Sequence, residues 1–225
     1  MMDIRAVFID VDNTLLDFDL PSRQAIELVC KDEGIEFTDK MVEVFLEVSD
    51  MLWKKVEKGI ITKADIYRDR WKLIFQRLGI NADGERFDLL YRQKMNLCAV
   101  EIDGARELLE YLSGKYTLFS ASNASHERLV GRLGAAGLDG FFNDHFSSQR
   151  LDVLKPDKEF FGRALKIAGF SAQESIVIGD SLTADIAGGK NAGMRTCYFD
   201  FAGKEDACQM ADFAVKSLLE IKNIL

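Results

Sequence analysis

The run Ala6-Val7-Phe8-Ile9 is apolar without interruption and opens directly onto Asp10-Val11-Asp12-Asn13-Thr14. A stretch that short and that apolar predicts a buried strand over 5–9. Past Pro21 the spacing of apolar positions changes to that of helices. Ile26, Val29 and Cys30 share one face, as do Met41, Val44, Phe45 and Val48. Tyr67, Trp71, Phe75 and Leu78 follow at the same period, then Phe87, Leu90, Tyr91 and Met95. Gly34, Gly59 and Gly79 break the pattern, and Thr62 supplies an N-cap after the second break. Residues 17–97 therefore read as four helices with no strand of their own.

Beyond that insertion, short apolar runs alternate with helical spacing. Helices are predicted over 104–113, 125–137, 157–169 and 183–193, with a last one closing the chain. Strands are predicted over 116–121, 145–147, 175–179, 196–199 and 213–215. Strands separated by helices pair in parallel through right-handed crossovers, with helices on both faces. The expected fold is α/β: a doubly wound, Rossmann-like parallel sheet core (1–16 and 98–225) with an inserted all-helical, four-helix domain (17–97). In such sheets ligands bind at the carboxyl ends of the strands. Asp10, Ser122 and Asp180 all fall there.

The remaining composition narrows the function. Hydrophobic residues make up 48% of the 225, enough for a packed core. With 29 Lys and Arg against 37 Asp and Glu, the net charge of −8 disfavours a nucleic-acid backbone as partner. Cys30, Cys98, Cys197 and Cys208 contain no CxxC pair and no ligand spacing with His126 or His145, so zinc is not expected and the thiols read as reduced. No signal peptide and no membrane-length apolar run is apparent, which leads to the expectation of a cytoplasmic protein that does not engage a membrane. His126 reads as a solvent-facing histidine of a first helical turn, and Trp53 and Trp71 as packing residues of the insertion.

Two carboxylates at the mouth of a buried strand are costly unless a cation neutralises them. The chain repeats the arrangement: Ile176-Val177-Ile178-Gly179 is a second apolar run ending in Asp180, with Asp185 shortly after. Two strands delivering acids to one sheet edge suggest a Mg²⁺-assisted phosphoryl-transfer site. Taken alone, the first run could be a calcium loop, but Leu15 stands where that loop needs glycine. No GxGxxG or P-loop sequence is present.

Taken together, these stretches resemble the haloacid dehalogenase-like superfamily in its phosphatase form. Asp10-Val11-Asp12-Asn13-Thr14-Leu15-Leu16 is similar to its first motif, Ser122-Asn123 to its second, and Lys155-Pro156-Asp157 to its third. Gly179-Asp180-Ser181-Leu182-Thr183-Ala184-Asp185 is similar to its fourth. The four occur in the family's order, and the helical insertion matches its C1 cap. The resemblance implies that Asp10 is the nucleophile and Asp12 the general acid and base, with the Asp12 main-chain carbonyl a metal ligand. It implies Asp180 as a direct Mg²⁺ ligand, with Asp185 holding a coordinated water or orienting its neighbours. Ser122, Lys155 and main-chain N–H groups near Asn13 and Asn123 would bind the phosphoryl oxygens. The substrate would be a small phosphorylated metabolite. The stretch Leu15-Leu16-Asp17-Phe18 together with the fourth motif resembles the branch acting on pyrimidine nucleoside monophosphates. A sugar-phosphate phosphatase and a β-phosphoglucomutase-like phosphotransferase share these motifs. A non-catalytic phospho-aspartate receiver would have no use for Asp12 or for the insertion.

Overall fold

The computed structural model describes residues 3–96, 98–200 and 210–225. Its chain divides into two compact units, Met1–Asp17 with Val100–Leu225, and Phe18–Ala99. The strands are β1 (Ala6–Ile9), β2 (Thr117–Ser122), β3 (Asp144–Ser147), β4 (Ser175–Gly179), β5 (Arg195–Phe199) and β6 (Phe213–Val215). The helices are α1 (Asp19–Glu33), α2 (Asp39–Glu57), α3 (Lys63–Leu78), α4 (Gly84–Met95), α5 (Ala105–Ser113), α6 (His126–Ala135), α7 (Ser148–Leu151), α8 (Lys158–Ala168) and α9 (Ala187–Asn191).

The first unit is an α/β domain. Its strands form one sheet in the order β3-β2-β1-β4-β5-β6, and every pairing is parallel. β1 lies between β2 and β4 and is buried along its whole length, which is why it carries no polar residue. Phe8 stands opposite Phe119 on one side and Val177 on the other. By the two-residue period of a strand, Ala6 and Phe8 share a face, and both join Phe119, Phe146, Val177 and the α8 residues Phe160 and Phe161 in one apolar cluster. The Phe8 ring stacks 4.9 Å from Phe119 and meets Phe161 edge-on at 6.3 Å. α5 buries Ala105, Leu108, Leu109 and Leu112.

Two predicted helices take other forms. The closing segment Leu218–Asn223 is a 3₁₀ helix, which eclipses the buried Leu218 and Ile221 three residues apart. The segment expected as one helix over 183–193 begins as a π turn, Leu182–Ile186, and continues as α9. Of the four cysteines, Cys208 lies outside the described residues. No described helix is long and apolar enough to cross a membrane.

The second unit is α1 to α4, without a strand among its described residues. Its helix ends are encoded locally. Thr62 and Asp65 form a reciprocal capping box at the start of α3, and Asp83 accepts the Glu85 and Arg86 N–H groups at the start of α4. Gly79 ends α3 at φ 69°, a left-handed conformation that glycine takes without a Cβ clash. Trp71, fully buried, packs its ring 4.1 Å from Phe87 and 5.5 Å from Phe45. Beside this cluster, Arg70 donates twice to Asp88 Oδ1 (3.0 and 2.6 Å) while Arg92 donates to Asp88 Oδ2 (2.7 Å).

Arg70 and Asp88 are 3% and 0% exposed, so neither can turn to water if its partner is lost. Asp88→Ala is expected to destabilise the protein by roughly 3–5 kcal/mol in urea unfolding, the cost of stranding a buried charge. A loss below about 1 kcal/mol, the range of exposed ion pairs, would show that this charge cluster does not hold the helices together.

Candidate active site

Parallel pairing decides which side chains meet. Ile9 lies opposite Ile178 in register, and the Asp10 N–H donates to the Ile178 carbonyl (2.9 Å). Asp10 and Asp180 thus leave adjacent strands at the carboxyl edge of the sheet, and β2 ends beside them at Ser122. Asp185 arrives through the π turn. Its N–H and that of Ile186 both reach the Ser181 carbonyl (3.0 and 3.1 Å), which turns the carboxylate inward while Ile186 stays in the core. The Ser181 N–H then donates to Asp185 Oδ2 (3.1 Å). Gly179 makes this approach possible, since a Cβ there would lie 2.3 Å from Asp185 Oδ2.

Asp10, Asp180 and Asp185 each offer a carboxylate oxygen, and the three oxygens lie within 4.8 Å of one another. Lys155 enters the same cluster at 2% exposure. Its Nζ donates to Asp10 Oδ1 (2.7 Å), Asp185 Oδ1 (2.6 Å) and the Ala121 carbonyl (2.7 Å), which uses all its protons. Burial pushes the Asp10 carboxyl well above the ordinary carboxylate range; Lys155 opposes the rise and Asp185 and Asp180 add to it. Burial, reinforced by Asp185, pushes Asp180 up to about 7. Burial alone would lower Lys155, but Asp10 and Asp185 outweigh it and hold the ammonium above its usual range. Three hard-oxygen acids around one ammonium are an arrangement that can take up a divalent cation.

Asn123 of the second motif serves this lysine. Asn123 Oδ1 accepts from the Lys155 N–H (2.8 Å) and its Nδ2 donates to the Lys155 carbonyl (3.0 Å), so the side chain clamps the lysine main chain. Ser122 is buried, and its hydroxyl accepts from the Ala124 N–H (3.0 Å). Thr14, fully buried, donates to Asp180 Oδ1 (3.4 Å). The N–H of Asn13 is taken by the Leu16 carbonyl (2.8 Å) and closes a turn, with Asn13 itself at φ 62°. The Asn13 N–H itself therefore shapes this turn, beside which the main-chain donors expected to meet a phosphoryl oxygen would lie.

That same turn separates the two acids of the first motif. The Asp12 carboxylate lies outside the triad and forms an ion pair with Arg132 of α6, while Arg128 Nη2 stands 3.8 Å from Asp12 Oδ2. Arg132 is 1% exposed and also donates to the Asp17 carbonyl (2.8 Å). None of the four motifs contains Arg132. Its signal was there: it falls between Leu129 and Leu133 on the buried face of α6, where an arginine requires a partner.

A family profile described as haloacid dehalogenase-like hydrolase matches residues 4–193. The HAD-hydrolase YfnB of Bacillus subtilis is 32% identical over 100% of this chain and 97% of its own length. A crystal structure of YfnB, described as bound to magnesium, covers 99% of this chain and 98% of its own with a TM-score of 0.93. Pyrimidine 5'-nucleotidase PynA of Streptococcus pneumoniae is 34% identical, over 88% of this chain and 85% of its own. Pyrimidine 5'-nucleotidase YjjG of Escherichia coli is 28% identical, over 97% and 96%. The profile match over most of the chain, with relatives above 30% identity over most of their length, shows that this chain belongs to the haloacid dehalogenase-like hydrolases.

Proposed function

We propose that the protein is a Mg²⁺-dependent phosphomonoester hydrolase that works through an aspartyl-phosphate on Asp10, with pyrimidine nucleoside 5'-monophosphates as substrates. The observation that carries the reading is the buried Lys155 ammonium wedged between Asp10 and Asp185 inside a cluster of three acids. One ammonium leaves that cluster with an excess of two negative charges when all its acids are ionised, which a divalent cation cancels. Burial raises the Asp10 and Asp180 carboxyls, and the neighbouring acids add to the rise. All-oxygen donors suit Mg²⁺. Asp10, Asp180 and the Asp12 main-chain carbonyl would hold it, and Asp185 would hold a coordinated water or orient its neighbours. When bound, Mg²⁺ offsets charge on the acids and on the phosphoryl oxygens.

The chain's own groups do the rest. A carboxylate oxygen of Asp10 attacks phosphorus, and the bond from phosphorus to the ester oxygen breaks. Asp12 gives its proton to the departing oxygen, then takes one from the water that attacks the aspartyl-phosphate. That second attack breaks the bond between Asp10 and phosphorus and releases inorganic phosphate. Lys155 redirects to a phosphoryl oxygen one of the three protons it otherwise gives to Asp10, Asp185 and the Ala121 carbonyl, and the Ser122 hydroxyl joins it. Asn123 holds the lysine main chain for that task. The nucleotide assignment is supported by the names of PynA and YjjG.

Asp10→Asn is expected to reduce hydrolysis of p-nitrophenyl phosphate to background while circular dichroism stays that of the wild type; retained turnover would remove Asp10 as nucleophile. In a screen of phosphorylated metabolites with excess Mg²⁺, kcat/KM for UMP, dUMP and dTMP is expected to exceed that for sugar phosphates. The opposite order overturns the substrate and leaves the reaction standing.

The metal reading has its own test. In the folded protein Asp180 titrates near 7 against an ordinary 3.8, so its protonated form favours folding. That contribution is complete below the ordinary value and is lost as pH rises through about 7. Mg²⁺ requires the deprotonated acids. In thermal melts with and without chelator, Mg²⁺ is therefore expected to raise Tm more at pH 7.5 than at pH 5, and Asp180→Asn to shrink that difference. No Mg²⁺ response at either pH would sink the proposed metal site.

A further inference from the structure

We infer that Arg132 is a positioning residue for Asp12. The inference rests on the reading of Asp12 as general acid and base, and adds to it a partner that none of the sequence motifs contains. The guanidinium is 1% exposed and reaches two groups of the same turn-and-exit segment: the Asp12 carboxylate and, through Nη2, the Asp17 carbonyl at 2.8 Å. Anchored at Asp17, it fixes where the Asp12 carboxylate stands. A buried arginine on the apolar face of a helix costs stability unless it meets such acceptors. A leucine at that position would serve packing alone.

The two Asp12 oxygens are in different situations. Oδ1, on the Arg132 side, is buried without an aligned hydrogen-bond partner, as is Arg132 Nη1 beside it. The Asp12 side chain as a whole keeps 30% exposure, so it is not sealed behind the arginine. Arg132 thus holds the inner oxygen, and the outer one is left for the proton. In the first step the outer oxygen gives its proton to the leaving oxygen as the phosphorus–oxygen ester bond breaks. In the second it takes a proton from the attacking water. The pairing at the inner oxygen does not depend on a charged Asp12, because a guanidinium is attracted to the carbonyl oxygen of an acid as well as to a carboxylate. The side chain therefore need not rotate between the two steps. Arg128, 3.8 Å from Oδ2, borders the outer oxygen and is the weaker contact of the two.

Phosphoryl transfer to a good leaving group needs little protonation, and transfer to a poor one needs it fully. Arg132→Met is therefore expected to lower kcat/KM for phenyl phosphate by about 10²-fold or more. For p-nitrophenyl phosphate, whose phenolate leaves without help, the loss is expected to stay within about 10-fold. In an Asp12→Asn background, adding Arg132→Met is expected to change kcat/KM for p-nitrophenyl phosphate by less than about 2-fold, because the partner it acts through is gone. Arg132→Lys keeps the charge with a single donor head and is expected to recover part of the phenyl phosphate rate. If Arg132→Met does not fold by circular dichroism, Arg132→Lys carries the same comparison. Equal losses on the two aryl phosphates, or a further large loss in the Asp12→Asn background, would overturn the role of Arg132 and leave the hydrolase reading intact. A folded wild-type protein that hydrolyses neither ester with Mg²⁺ would overturn both.

Discussion

The contact between the Lys155 ammonium and the carboxylates of Asp10 and Asp185 is the constraint around which the α/β unit is organised. Three acids and an ammonium gathered in the protein interior are stable only if every charge has close partners, because water is not there to serve as one. The surrounding structure supplies them in detail. The Ala121 carbonyl takes the third lysine proton, Asn123 fixes the lysine main chain at both its N–H and its carbonyl, and the Ser181 N–H occupies Asp185 Oδ2. Even the absence of a side chain at Gly179 belongs to this list, since any Cβ would displace Asp185.

Sheet topology makes the gathering possible. Because β1 is central and pairs in parallel with both β2 and β4, the acids that follow β1 and β4 and the serine that ends β2 emerge at one edge without any long-range fitting of loops. The register alone brings Asp10 to the Ile178 carbonyl. The π turn solves the one problem the register leaves. A plain α-helical start after Asp180 would hydrogen-bond Ile186 to residue 182. The wider turn carries that bond to Ser181, and so places both Asp185 and Ile186 inward.

Much of this was legible in the chain because it is written in short-range code. The strand before Asp10 is an apolar run, the strand before Asp180 another, and alternation of strands with helices implies parallel pairing. The helical unit was legible for the same reason: Thr62 with Asp65, and Gly79, are local start and stop signals. What was not legible depends on where side chains end after folding. The motif marks Asn123 but does not show that its side-chain amide clamps the Lys155 main chain. The use of the Asn13 N–H to close its own turn likewise has no signature in the chain. The π turn had no periodic signature distinct from a helix. Arg132 was visible only as an anomaly, a charge among leucines, whose partner lies 120 positions earlier in the chain.

The separation of Asp10 from Asp12 joins these observations. Two carboxylates two positions apart on an extended strand would face the same side and share one environment. The tight turn at Asn13 breaks that equivalence and hands each acid to a different buried cation, Asp10 to Lys155 and Asp12 to Arg132. Distinct chemistry requires distinct surroundings: a nucleophile must sit where its charge is balanced by fixed groups, and a proton carrier must keep one oxygen accessible. Lys155 meets the first need for Asp10, the proposed nucleophile, by sharing it with Asp185. Arg132 meets the second by engaging Asp12 from the buried side only. The motif supplies two aspartates, and the fold makes them different by giving each its own counter-charge.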